Sequence, residues 1–310
     1  MLRFDSIFKN VYTHMLFIIL GFLAVGFFIF LVSYIAISFE VDRALNLYAE
    51  HSSVPIDIVF VVAEKDVETL SYSVNSVKKW VKHPINKMVI IARPTPCLQD
   101  LAKELGLELI DENTLLPWGA FEAWIKNEGI SLNHESLGWY YQQFLKLLYY
   151  DNADSEYYFV VDADVVIKKP MVLISDDGVH TYFVGENLGD TISKNSAKKL
   201  LGGLSCVPSF SFVADLMCFD RRVVRSLIQD IESRFKTDFY KAALLVEQGN
   251  AARFSEYELY GLYANFVCEG SLASYLPKSD IGRPRRKLWL DAYKIKLKTL
   301  PYIAYHHYLR

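Results

Sequence analysis

Cysteine is scarce in this chain, with four in 310 residues, and the four are dispersed. Cys97, Cys206, Cys218 and Cys268 form no C-x-x-C pair and sit too far apart for a zinc ribbon or a small disulfide framework. Buried free thiols are the expectation; a Cys206–Cys218 bridge would need an oxidising compartment. Neither sign of charge predominates: 33 basic residues stand against 36 acidic ones, for a net charge of -3. No broad basic field exists to hold a polyanion, so nucleic acid is not an expected partner. Internal repeats and low-complexity linkers are missing too. What the chain has in quantity is apolar and aromatic: 52% hydrophobic residues, including 20 Tyr and 20 Phe. Most of those rings belong in a core. The length suffices for one large α/β domain with a small appendage.

The appendage is legible at the amino terminus. Residues 1–14 form a short tail, and from Met15 to Phe39 no side chain carries a formal charge. A helix of that length, at about 1.5 Å per residue, spans a hydrocarbon core of roughly 30 Å. The apolar run is too long for a secretory signal core of about 7–15 residues. A buried core helix is seldom apolar all round for so long. The expectation is a single-pass transmembrane helix over 15–39, then a stem over 40–54. Arg3 and Lys9 before the span, against Arg43 after it, favour a cytosolic amino terminus. That predicts a membrane protein, in a bacterial inner membrane or as a Golgi type II protein in a eukaryote.

Beyond the stem, strand and helix patterns alternate. Ile56–Val62 is a continuous β-branched run, as a strand buried on both faces should be. A helical pattern follows over Thr69–Val81, a second strand over Met88–Ile91, a helix over Leu98–Leu105 stopped by Gly106, and a third strand over Leu107–Ile110. Such alternation implies a parallel sheet with helices on its faces, and ligands then bind beyond the carboxyl ends of the strands.

The chemistry concentrates in the middle of the chain. Gly138–Tyr150, GWYYQQFLKLLYY, places Tyr141, Phe144, Leu145 and Leu148 on one side of a helix and Gln142, Gln143 and Lys146 on the other. That polar side is either solvated or, through Gln143 and Lys146, turned toward a ligand cleft. Next, the apolar strand Tyr157–Val161 delivers Asp162-Ala163-Asp164. In an extended chain residues i and i+2 share a side, so both carboxylates would address one divalent cation. Mg2+ and Mn2+ prefer oxygen ligands, and an ion that bridges diphosphate oxygens needs only one or two protein carboxylates.

With that strand before it and Val165-Val166-Ile167-Lys168-Lys169-Pro170 after it, the acidic triplet resembles the D-x-D block of GT-A-fold glycosyltransferases. GWYYQQFLKLLYY…YYFVVDADVVIKKP is similar in particular to a poorly characterised, largely bacterial family of that type, over most of Pro55 to Phe266. The resemblance implies a Rossmann-like α/β domain over 55–310 with a mostly parallel sheet and flanking helices. It also implies hexosyltransferase-like transfer from a nucleotide-sugar donor to a glycan, lipid or protein acceptor. Mn2+ or Mg2+ would sit at Asp162 and Asp164, and Gln143, Lys146 and Asp162 would shape the donor pocket.

Two later blocks, SFSFVADLMCFDRR over 209–222 and FSEYELYG over 254–261, agree with the resemblance. Related enzymes place an acid facing the acceptor hydroxyl, where it can take the proton as the hydroxyl attacks. Glu256 is the first candidate and Asp215 the second. Asp220 precedes a helical run and reads as an N-cap, and Ser255 with Glu258 as a capping box. Many enzymes of this type draw a further metal ligand from a histidine near the carboxyl terminus, which points to His306 or His307. Arg283, Arg285 and Arg286 form a basic patch suited to diphosphate, to solvent or to a lipid headgroup.

Three alternatives remain open at this level. A haloacid dehalogenase-type phosphatase uses a D-x-D as nucleophile and acid, but its motif normally ends the first strand and here about three β/α units come first. A sugar nucleotidyltransferase needs a glycine-rich loop after its first strand, which Ala63-Glu64-Lys65-Asp66-Val67 lacks. A membrane-anchored protein that binds nucleotide or glycan without turnover would share every feature above.

Overall fold

The computed structural model describes residues 27–28, 51–132, 134–186, 191–204, 208–246, 254–268, 273–277 and 301–304. In chain order the first half comprises β1 (Ile56–Val61), α1 (Val67–Trp80), β2 (Ile85–Ala92), α2 (Pro96–Leu105), β3 (Glu108–Asp111), α3 (Glu112–Leu115), α4 (Trp118–Asn127) and α5 (His134–Leu148). Then come β4 (Tyr157–Val161), β5 (Val165–Ile167), β6 (His180–Glu186), α6 (Thr191–Leu200), β7 (Phe210–Ser211) and β8 (Leu216–Asp220). The series closes with α7 (Arg221–Phe235), α8 (Phe239–Val246), α9 (Glu256–Phe266), β9 (Ala273–Pro277) and β10 (Tyr302–Ala304).

The central sheet runs β3-β2-β1-β4-β8. Its first four strands are parallel, and β8 pairs antiparallel with β4, Phe159 opposite Cys218. The expected mostly parallel α/β sheet is therefore present, with one reversed strand that apolar periodicity does not encode. β1 is buried along its whole length, which is why it reads as an unbroken apolar run. Local signals set the helix ends. Thr95 Oγ1 accepts from the Leu98 backbone N at 3.4 Å and Pro96 takes the first position, so α2 begins two residues before Leu98. Gly106, at φ 67°, closes it in the left-handed conformation.

One polar residue inside β1 fixes the strand next door. Asp57 is fully buried, and its carboxylate accepts from Asp154 N at 2.8 Å, Ser155 N at 3.3 Å, Ser155 Oγ at 2.8 Å and Asn86 Nδ2 at 3.1 Å. Those donors lie just before β4 and at the start of β2, so Asp57 ties both neighbours to β1 at one end of the sheet. Nothing in the sequence marks it except an acid within an apolar run.

Two smaller sheets complete the body: β5 with β10, and β7-β6-β9. Helix α9 is buried from Glu256 to Ala264. Gly261 lets Phe212 lie directly on it; a Cβ there would stand 2.2 Å from Phe212 Cγ. Glu258, also buried, accepts from Ser211 Oγ at 2.6 Å and Phe212 N at 2.8 Å. The Ser255 half of the expected capping box forms. Ser255 Oγ accepts from Glu258 N at 3.2 Å, while the Glu258 carboxylate turns to the 211–212 segment. Asp220 caps α7 as expected, accepting from Arg222 N at 2.8 Å.

Cys97, Cys218 and Cys268 are free thiols, and Cys206 lies outside the described residues. Of the 15–39 span only Phe27 and Phe28 are described, both helical and exposed; the rest of the span, and the stem up to residue 50, lie outside the described residues. Among the described residues no helix is long and apolar enough to cross a membrane. The last stem residues belong to the body, because Ser52 is buried and bonds through its N to Lys82 O at 2.9 Å.

Candidate active site

The acidic triplet leaves the carboxyl end of β4, next to the reversed strand. Asp162 N donates to Asp215 O at 3.0 Å, continuing the β4–β8 ladder by one step. Val165 N then returns to Asp162 O at 3.0 Å. The triplet is therefore a tight turn between β4 and β5 rather than extended chain, and this turn, not strand alternation, sets the directions of the two carboxylates. Asp162 and Asp164 are both half-buried. Ser73, from α1, approaches the same turn, its Oγ 3.5 Å from Asp162 O.

Helix α5 crosses behind this turn. Its apolar side is buried as expected, yet the polar side is no solvated face: Gln143 and Lys146 are buried too. Gln142 Nε2 donates to Val61 O at 3.1 Å, at the carboxyl end of β1. Gln143 Nε2 turns back to Trp139 O of its own helix at 3.3 Å. Lys146 carries the chemistry. Its Nζ stands 2.8 Å from Asp162 Oδ1, 2.8 Å from Glu256 Oε1 and 3.1 Å from the Tyr257 hydroxyl oxygen. The Asp162 side chain is 27% exposed, whereas those of Lys146 and Glu256 are 3% and 1%.

Glu256 is the first residue of α9, after the Ser255 cap, where the helix dipole favours a negative charge. Asp162 and Glu256 thus share one ammonium. Burial alone would push the Lys146 ammonium down, but Asp162 and Glu256, flanking it, hold it well above its ordinary range. Burial raises the Glu256 carboxyl, Lys146 draws it back, and nearby Asp162 adds to the rise. The two directions are consistent, since one cation between two anions leaves an excess negative charge in a poorly solvated place. A buried ion pair of this kind costs desolvation, so it is weak evidence of a stabilising role.

The fold thus brings together Asp162, Lys146 and Glu256 through side chains, and Asp215 through its backbone. Asp164 follows in the same turn. Tyr257, unforeseen from sequence, joins through its hydroxyl; its one signal was adjacency to Glu256. Glu256 is placed in the interior, its Oε1 2.8 Å from Lys146 Nζ and its side chain 1% exposed. His306, His307, Arg283, Arg285 and Arg286 lie outside the described residues. The last described residue, Ala304, pairs with Val165, the residue after Asp164. Among the described residues no group of three or more His, Cys, Asp or Glu could hold a metal ion. Asp162 and Asp164 do suit a hard divalent cation in the way a diphosphate-bridging ion requires: two oxygen donors, partly exposed, on one turn.

A family model described as "Family of unknown function (DUF6492)" matches residues 54–292. No curated protein matches the chain in sequence. Several solved structures are similar to it, at low identity and low TM-score. Mouse xyloside xylosyltransferase 1 is 9% identical with a TM-score of 0.43, covering 83% of this chain and 99% of its own. The mannosyltransferase Ktr4p from S. cerevisiae is 11% identical with a TM-score of 0.43, over 74% and 69% of the two chains. The glycosyltransferase GlyE of Streptococcus pneumoniae TIGR4 is 12% identical with a TM-score of 0.41, over 82% and 55%.

Proposed function

Taking as premise that the chain belongs to this family of unknown function (DUF6492), we propose that it is a metal-dependent glycosyltransferase that moves a sugar from a nucleotide-sugar donor to an acceptor hydroxyl. The observation that carries the reading is the acidic turn Asp162–Asp164 at the carboxyl end of a central strand, with Asp162 gripped by a buried lysine. Ligands of open α/β sheets bind at that end. Asp162 and Asp164 would hold Mn2+ or Mg2+ bound to the donor diphosphate, and the ion, as a Lewis acid, would neutralise charge on the leaving nucleotide.

The chain's own residues supply the rest. Lys146 keeps Asp162 oriented from behind. Asp215, half-buried and opposite Asp162 on the continued β4–β8 ladder, is the carboxylate we assign to the acceptor hydroxyl, in preference to the buried Glu256. His306 or His307, which the resemblance offers as a further metal ligand, stays part of the proposal. We read residues 15–39 as the single-pass anchor, in a bacterial inner membrane or as a type II Golgi protein.

A donor-hydrolysis panel of UDP- and GDP-sugars, with Mn2+ and with EDTA, tests the reading. Turnover with Mn2+ and its loss in a folded Asp164→Ala variant are expected. Wild-type turnover by Asp164→Ala would overturn the metal assignment. Release of phosphate from p-nitrophenyl phosphate, with no donor hydrolysed, would favour the phosphatase instead.

A further inference from the structure

Resting on the donor-site reading above, we infer that Glu256 is a positioning residue: it shares the Lys146 ammonium with Asp162, leaving Asp162 open to a divalent cation, and takes no proton from the acceptor. Three observations converge. Lys146 Nζ has three oxygens within 3.1 Å: it hydrogen-bonds Glu256 Oε1 and the Tyr257 hydroxyl and ion-pairs with Asp162 Oδ1. Exposure rises outward along the chain of contacts, from 1% at Glu256 and 3% at Lys146 to 27% at Asp162. Only the Asp162 end opens toward solvent and a ligand. A general base must come within about 2.6–3.2 Å of the hydroxyl it serves, and Glu256 has no free face to do so.

Charge gives this geometry a purpose. With Asp162 as its sole anion, a buried ammonium would press its whole attraction on the residue the cation needs, and would repel that cation at short range. Glu256 divides the attraction and returns a negative charge to the site. It is to Lys146 what an outer-sphere partner is to a metal-binding side chain.

Two variants of the full-length protein test this, with binding of MnCl2, in the presence of UDP or GDP, read as free Mn2+ by electron paramagnetic resonance. Glu256→Gln leaves a balanced Lys146–Asp162 pair and should fold, yet should weaken Mn2+ binding about 10- to 100-fold. Lys146→Met combined with Glu256→Gln removes the competing ammonium and should recover most of that loss. A merely structural Glu256 would lower the melting temperature of Glu256→Gln and leave Mn2+ affinity untouched, which overturns the inference. A catalytic base would lose kcat with Mn2+ affinity unchanged and no recovery in the double variant, which overturns it as well. If wild-type protein binds no Mn2+ with either nucleotide, the donor-site reading itself falls, and this inference falls with it.

Discussion

Replacing Gly261 by alanine adds a single methyl at the point where the candidate active site leans on the core. The new Cβ would lie 2.2, 2.5 and 2.6 Å from Cγ, Cδ1 and Cδ2 of Phe212, where ordinary contact begins at 3.4 Å. The ring must therefore retreat about 1.2 Å (3.4 less 2.2). It has nowhere to go: Phe212 is fully buried and packs on Phe210, Tyr182 and Tyr275, with centroids 5.3, 5.5 and 6.2 Å away. Its backbone N is also held by Glu258 at 2.8 Å. Overpacking costs about 1–3 kcal/mol, and stretching a hydrogen bond to a carboxylate costs about 1.5–3 kcal/mol more if it breaks. Helix propensity gains roughly 1 kcal/mol in return. Clash wins once that hydrogen bond breaks, with a net loss of about 1.5–5 kcal/mol and a melting temperature lower by about 3–20 °C. Differential scanning fluorimetry would read it, and Phe212→Leu in the same chain should restore part of the loss. A Gly261→Ala protein as stable as wild type would show that the Phe212–α9 contact is not close, and the reasoning would fail.

Two further outcomes follow from buried polar groups. Asp57→Ala strands the donors of Asn86, Asp154 and Ser155, so urea unfolding should show a loss above about 3 kcal/mol; a loss under about 1 kcal/mol would mean that water replaces the carboxylate freely. His180 stacks on Tyr182 and meets Tyr157 edge-on, and burial pushes its imidazole down from 6.5 to about 4. Between those values the unfolded chain takes a proton that the folded chain refuses. Stability is thus full above about pH 6.5 and falls toward pH 4 by up to about 3 kcal/mol. His180→Phe should flatten that part of the acid limb, and an unchanged acid slope in the variant would remove His180 as its cause. His83, likewise pushed down by burial, adds an effect of the same sign.

How much of this was readable beforehand depended on whether the signal was local. β1 announced itself because a strand covered on both faces has no polar alternation to hide it, and Thr95-Pro96 with Gly106 bracketed α2. The placement of Asp162 after an apolar strand located the candidate site. Strand direction was not readable: β8 and β4 carry the same kind of apolar run whether parallel or antiparallel. The polar stripe of α5 was ambiguous for a related reason, since a buried helix hides polar side chains only when remote partners meet them. Lys146 finds its partner Glu256 110 residues away, a distance over which periodicity and capping rules are silent. The turn at Asp162–Asp164 escaped because its closing bond, Val165 N to Asp162 O, lies within a sequence that reads as continuous strand. Asp57 escaped for the opposite reason, an acid inside a β-branched run whose donors come from two other elements.

The most direct test of the central claim is the position of an ion. A crystal grown with Mn2+ and UDP or GDP should show anomalous density between the carboxylates of Asp162 and Asp164 and the nucleotide's diphosphate, with Lys146 still against Asp162. Nucleotide bound elsewhere, or diphosphate beside the turn with no ion there, would contradict the account.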